Sequence, residues 1–150
     1  MTARFSWADP DRRAVPGPLR DPFVLRSSGT YYLTATPAPY WAGPVPGIPL
    51  WSSPDLRQWR PERLITERVH IPADACYRDR LWAPEIHEID GGFYLTFNAR
   101  NDATGHRHSV AVAQTDTVTG PYRVLTHERP AVTDDLDLPE IDFTTLAEAA

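Results

Sequence analysis

Arg20-Asp21-Pro22-Phe23-Val24 runs into Gly29-Thr30-Tyr31-Tyr32-Leu33-Thr34, and later Trp82-Ala83-Pro84-Glu85-Ile86 runs into Gly91-Gly92-Phe93-Tyr94-Leu95-Thr96. Pro22 with Pro84, Val24 with Ile86, Gly29 with Gly91, Tyr32 with Tyr94 and Leu33 with Leu95 share one offset, 84 minus 22, which is 62. A looser echo follows, since Ser53, Asp55, Leu56 and Trp59 are answered by Thr115, Asp116 and then Gly120-Pro121-Tyr122. Self-similarity at a period of tens of residues marks a repeat architecture, in which each unit buries its face against the next. Each copy opens on a strand that carries a carboxylate, Asp21 in the first and Glu85 in the second.

Within each copy the residues read as strand and turn. Phe23-Val24-Leu25, a turn at Ser27-Ser28-Gly29 and Tyr31-Tyr32-Leu33-Thr34 predict a hairpin, because branched and aromatic residues suit a pleated surface. Its twin is Ile86-His87-Glu88-Ile89, a turn at Asp90-Gly91-Gly92 and Phe93 to Phe97, where Asp-Gly is a strong hairpin signal. Third strands are expected at Ile48 to Ser52 and Ser109 to Gln114, and short fourth strands near Trp59 to Leu64 and Tyr122 to Leu125. Sixteen prolines count against long helices, since proline lacks the amide donor and clashes inside a helix.

Repeated four-stranded meanders with glycine and aromatic punctuation predict an all-β chain built as a partial β-propeller. A sandwich of two sheets or one long meander would also accommodate two copies. Propellers close with four to eight blades, so two copies are expected to leave apolar faces open, through which the chain could self-associate.

Composition narrows the function classes. With 41% hydrophobic and 23% charged residues the chain can bury one core, and a net charge of -5 argues against nucleic acid as a partner. All fifteen basic residues are arginine, but they are scattered and form no stripe along which a phosphate backbone could run. No apolar run approaches the roughly 20 residues that cross a bilayer, and Met1 to Asp9 lacks the apolar centre of a secretory signal, so no membrane partner and a cytoplasmic location are expected. Cys76 is the single cysteine and excludes an intrachain disulfide; neither a base nor an electropositive setting that would activate its thiol is visible beside it.

Four segments in order carry a resemblance: Arg20-Asp21-Pro22-Phe23-Val24; Gly47-Ile48-Pro49-Leu50-Trp51-Ser52-Ser53-Pro54-Asp55-Leu56 with Trp59; Leu81-Trp82-Ala83-Pro84-Glu85-Ile86-His87; and Gly120-Pro121-Tyr122. Over roughly residues 19 to 142 the chain resembles family 43 of the glycoside hydrolases, five-bladed propellers that cleave arabinose or xylose units from plant polysaccharides with inversion. The resemblance implies about two of five blades, the first near 19–65, the second near 81–126 and the start of a third near 140–146, and a carbohydrate substrate. Within the family, Trp-Ala-Pro-Glu-Ile-His looks closer to the arabinofuranosidases than to the xylosidases.

An inverting glycosidase needs a general base to activate water and, on the other face of the sugar, a protonated acid some 6.5 to 9.5 Å away. By resemblance Asp21 is the base; read without the other motifs, it would be an Asp capping a turn before Pro22. Asp142, in Glu140-Ile141-Asp142-Phe143, resembles the second Asp of the family, whose negative charge keeps the acid protonated, although Phe143 stands where the family has proline. Trp82 and Glu85 would line the pocket, the indole as a platform for a sugar face and the carboxylate as an acceptor for hydroxyls. The alternative for that pair is a packed Trp and a Glu bonded to backbone. Trp41 and Trp51 read as structural, the latter in an inner strand.

The family's general acid is a Glu tens of residues past the second Asp, and Glu148 follows Asp142 too closely to be it. The chain is therefore expected to be an N-terminal fragment that is a poor catalyst alone. No cofactor and no metal are expected on it: His106 and His108 alternate on one face without a third ligand, His70, His87 and His127 stand alone, and the family's axial ion is held from a later blade. Two other readings stay open, a non-catalytic sugar-binding module and a retaining fructan-type propeller glycosidase, whose Asn-Asp-Pro nucleophile context is missing here.

Overall fold

The computed structural model describes residues 15–39, 42–75, 77–103 and 109–126. Two-residue turns set the hairpins. Ser28 and Gly29 have φ of 47° and 81°, and Asp90 and Gly91 have 51° and 79°. Two successive left-handed residues make the turn whose twist matches that of the strands on either side. β1 (Leu19–Ser27) thus pairs with β2 (Thr30–Pro37), and the sheet continues through β3 (Gly47–Ser53) to β4 (Arg60–Glu67). The second sheet runs β5 (Arg80–Ile89), β6 (Gly92–Arg100), β7 (Ser109–Thr115) and β8 (Arg123–Val124). Each is a four-stranded antiparallel meander in chain order. The architecture is all-β, two blades of a partial β-propeller, and a short 3-10 helix at Arg68–His70 lies between them.

The 62-residue offset survives into the hydrogen-bond register. Leu19 pairs with Pro37, Arg20 with Thr36, Phe23 with Thr34 and Val24 with Leu33, while Leu81 pairs with Ala99, Trp82 with Asn98, Glu85 with Thr96 and Ile86 with Leu95. The third strands obey it as well, with Tyr31 opposite Ser53 and Phe93 opposite Thr115. Only the fourth strand slips, by one residue: Trp51 faces Pro61, whereas its counterpart Ala113 faces Val124. The strand β8 is short, yet the Leu125 amide still donates to the Val112 carbonyl at 2.8 Å.

Because side chains alternate across a strand, each sheet has two distinct faces. The first turns Ile48 and Leu50, with Leu25 and Tyr32 beside them, into a core shared with Ile86, Phe93, Leu95, Phe97, Ala111 and Ala113 of the second. Leu95 and Phe97 are fully buried there, and burying each such side chain contributes about 1.5 to 3 kcal/mol. The first sheet's opposite face carries a smaller cluster of Val15, Leu33 and Trp51, against which Leu19 and Trp59 pack. Val24, across from Leu33, is left 45% exposed. Trp51 is packed, as expected of a structural residue, and its strand β3 is an interior one, flanked by β2 and β4.

Polar groups fasten the seam between the sheets. The Tyr122 amide donates to the Ile65 carbonyl at 3.0 Å, and the Val45 amide to the Asp79 carbonyl at 2.9 Å. Arg68 donates through Nε and Nη2 to Asp79 Oδ1, and the Asp102 amide donates to Asp79 Oδ2. Burial acts to raise the Asp79 carboxyl, but those bonds and the charges of Arg68 and Arg78 outweigh it and hold it below its ordinary range.

Candidate active site

The Pro of each repeat sits in a bulge. Three steps along β1, from Arg20 to Phe23, oppose two along β2, from Thr36 to Thr34, and Trp82 to Glu85 stand likewise against Asn98 to Thr96. One residue too many on a strand bends it and re-aims the side chains beyond. Residues three apart, which a regular strand would send to opposite faces, therefore share one. Trp82 and Glu85 are brought together in this way, on the side of β5 shared with Thr96 and opposite to Ile86 and Leu95.

Asp21 lies within the first bulge and Ala83 at the equivalent point of the second, with φ of 49° and 43°. Such backbone is uncommon outside glycine and concentrates at functional sites. Asp21 is exposed. One of its oxygens is held: the Thr36 hydroxyl donates to Asp21 Oδ2 at 2.8 Å and accepts the Ala83 amide at 2.7 Å. The two bulges, on separate sheets, are thus joined through a single hydroxyl.

Glu85 does not repeat Asp21. Subtracting 62 places it on Phe23, two residues past the bulge carboxylate, and it is 7% exposed. Its Oε2 lies 3.2 Å from His87 Nε2. β5 is the edge strand of its sheet, and the His87 ring reaches Phe23 of β1 with 5.5 Å between centroids. Trp82 is 5% exposed. In this chain both side chains are buried.

Asp142 lies outside the described residues, as do Trp41, Cys76, His106, His108 and His127. Among the described residues no three His, Cys, Asp or Glu side chains gather as a metal-holding group. No helix among the described residues is long and apolar enough to cross a membrane. The residue that sequence reasoning passed over is Thr36. A trace of it was present in the repeat, for position 62 residues on is Asn98, so both copies place a polar side chain opposite the bulge.

The sequence model of glycosyl hydrolases family 43 matches residues 12–146. The chain belongs to that family. Among solved structures, a thermostable family-43 glycoside hydrolase superposes with a TM-score of 0.60 at 30% identity, over 71% of this chain and 32% of that one. The endo-arabinase of Bacteroides thetaiotaomicron gives 0.59 at 23% identity, over 77% and 37%. An α-L-arabinofuranosidase from Clostridium thermocellum gives 0.57 at 23%, over 77% and 36%. At those two identities the likeness speaks for the fold alone. This family-43 chain spans about a third of the length of the structures it matches. None of the curated proteins matches it by sequence.

Proposed function

We propose that this chain supplies the base side of an inverting glycosidase site for arabinose- or xylose-containing oligosaccharides, with Asp21 as the general base. The observation that carries this reading is the state of Asp21: an exposed carboxylate in a left-handed bulge, tethered by one oxygen to Thr36 so that the other is free to take a proton from water. In the proposed reaction water adds to the anomeric carbon as its proton passes to Asp21. The bond to the leaving oxygen breaks on the opposite face, and a carboxylic acid donates the proton that oxygen requires. None of the described residues is assigned as that acid, and Asp142, the proposed modulator of the acid, lies outside them. Catalysis on natural glycosides is therefore proposed to be weak for these 150 residues alone.

A nitrophenolate leaving group needs little protonation, so aryl glycosides isolate the work of the base. The test is release of nitrophenol from aryl arabinofuranoside and aryl xyloside, with the product anomer followed by NMR. Slow release with inversion, cut by about 10²-fold or more in Asp21→Asn, is expected from the usual contribution of general base catalysis. Equal rates in the two proteins, or a retained anomer, would overturn the assignment.

A further inference from the structure

We propose that Thr36 is the positioning residue of Asp21, and that its hydroxyl makes the orientation of this carboxylate depend on the docking of the second blade. The catalytic half of this inference rests on the reading of Asp21 as the base; the structural half does not.

The direction of the two bonds is fixed by chemistry. The Ala83 N–H can only donate, so Thr36 Oγ1 must accept it, and an ionised carboxylate can only accept, so the single hydroxyl proton goes to Asp21 Oδ2. Thr36 is 1% exposed, which keeps water from competing for either bond. Its branched side chain restricts χ1, so the oxygen has little freedom to leave the line between its partners. Asp21, by contrast, is exposed, and its side chain would turn freely without that tether. Holding Oδ2 fixes the plane of the carboxylate and leaves Oδ1 as the oxygen that meets water. The donor that completes the relay belongs to the other sheet, at the one place where β5 has the same strained backbone as β1. A change in the seam between the sheets is thereby felt at Asp21 without any contact to substrate.

The test is the proton shift of the Ala83 amide, followed by NMR through the acid range in the wild-type chain and in Thr36→Val, Thr36→Ser and Asp21→Asn. Arg20, opposite Thr36 on β1, and Glu85 and His87 on β5 are also charged or titratable groups in the neighbourhood, and Asp21→Asn separates their effects from that of Asp21. The expected result is an acid-range displacement of the Ala83 amide in wild type and Thr36→Ser that is lost in both Thr36→Val and Asp21→Asn. With aryl glycosides, Thr36→Val is expected to lower kcat by about 10-fold to 100-fold with KM nearly unchanged, as for a misplaced catalytic group, and Thr36→Ser to restore most of it. An Ala83 amide indifferent to the Asp21 substitution, or one that keeps its displacement in Thr36→Val, overturns the relay. If Thr36→Val does not fold, the comparison of wild type with Asp21→Asn still decides. A relay seen by NMR in a wild-type chain that cleaves no aryl glycoside supports the tether and overturns the catalytic assignment of Asp21, so the two failures are told apart.

Discussion

Asp21 and Ala83 occupy the same point in two copies of one bulge, and both hold left-handed backbone, at φ of 49° and 43°. A residue with a Cβ is disfavoured there by about 1 to 2 kcal/mol. At Asp21 the role proposed for the carboxylate gives a reason for bearing that strain. At Ala83 the methyl group gives none. Ala83→Gly keeps the amide that bonds Thr36 and removes the clash, while adding about 0.5 to 1 kcal/mol of unfolded-chain entropy to be overcome. The expected outcome in urea denaturation is stability unchanged or raised by up to about 1 kcal/mol. Ala83→Val, with a branched Cβ in the same backbone, is expected to lose about 1 to 3 kcal/mol.

Gly47 is needed for a different reason. A Cβ at this position in β3 would lie 2.2 Å from the Thr66 carbonyl oxygen and 3.1 Å from Glu67 Cα, all of it backbone that cannot swing aside. Gly47→Ala is expected to destabilise by about 2 to 3 kcal/mol, the scale of overpacking in a tight site. Gly43→Ala, where nothing lies within 4 Å of the added carbon, serves as the control and is expected to change stability by less than about 0.5 kcal/mol. The difference in denaturation midpoints between the two variants measures the clash.

Asp79 makes the seam acid-sensitive. Its carboxyl is held below the ordinary range, so the folded protein binds its proton less readily than the unfolded chain does. Its contribution is then fully present above the unfolded value, about 3.9, and is lost as pH falls through the lower, folded value. Urea midpoints are expected to drop between about pH 5 and pH 2. Asp79→Asn should be less stable near neutrality and show a shallower drop, because the ion pair with Arg68 is already gone. An unchanged acid slope in the variant would assign the effect to other carboxylates.

Trp82 tests the face that the second bulge creates. At 5% exposure its indole is already packed, so Trp82→Ala is expected to lower stability by about 3 to 5 kcal/mol, the usual result of emptying a core position of this size. Thermal denaturation of the variant measures it. A loss below about 1 kcal/mol would mark an indole held for contact with a ligand and not for packing.

The hairpins were legible because Ser-Gly and Asp-Gly at the turns and the branched residues beside them admit few other conformations. The offset of 62 was legible too, and it fixed the pairing of the first three strands of each sheet. The bulge was not. Proline announces an irregularity, but only the pairing of Arg20 with Thr36 and Phe23 with Thr34 shows a residue inserted there. Each opening strand carries a carboxylate beside its proline but on opposite sides of it, and the register keeps the separation that the offset implies, with Glu85 at the place of Phe23, two residues past Asp21. Thr36 stayed hidden because a threonine in a strand already has a sufficient explanation in its β-branched shape. Its partners lie 15 and 47 residues away in the chain, distances that no local pattern reports.

The same register sets Trp51 and Ala113 at one address, across from Leu33 and Leu95 respectively. An indole in one copy and a methyl group in the other cannot be exchanged within a densely packed layer, since one swap crowds the contact and the other hollows it. The two wedges, alike in outline, are therefore not interchangeable parts. Their sequence around the hub is written in side-chain volume, and a chain assembled from two copies of the first would jam at its own joint.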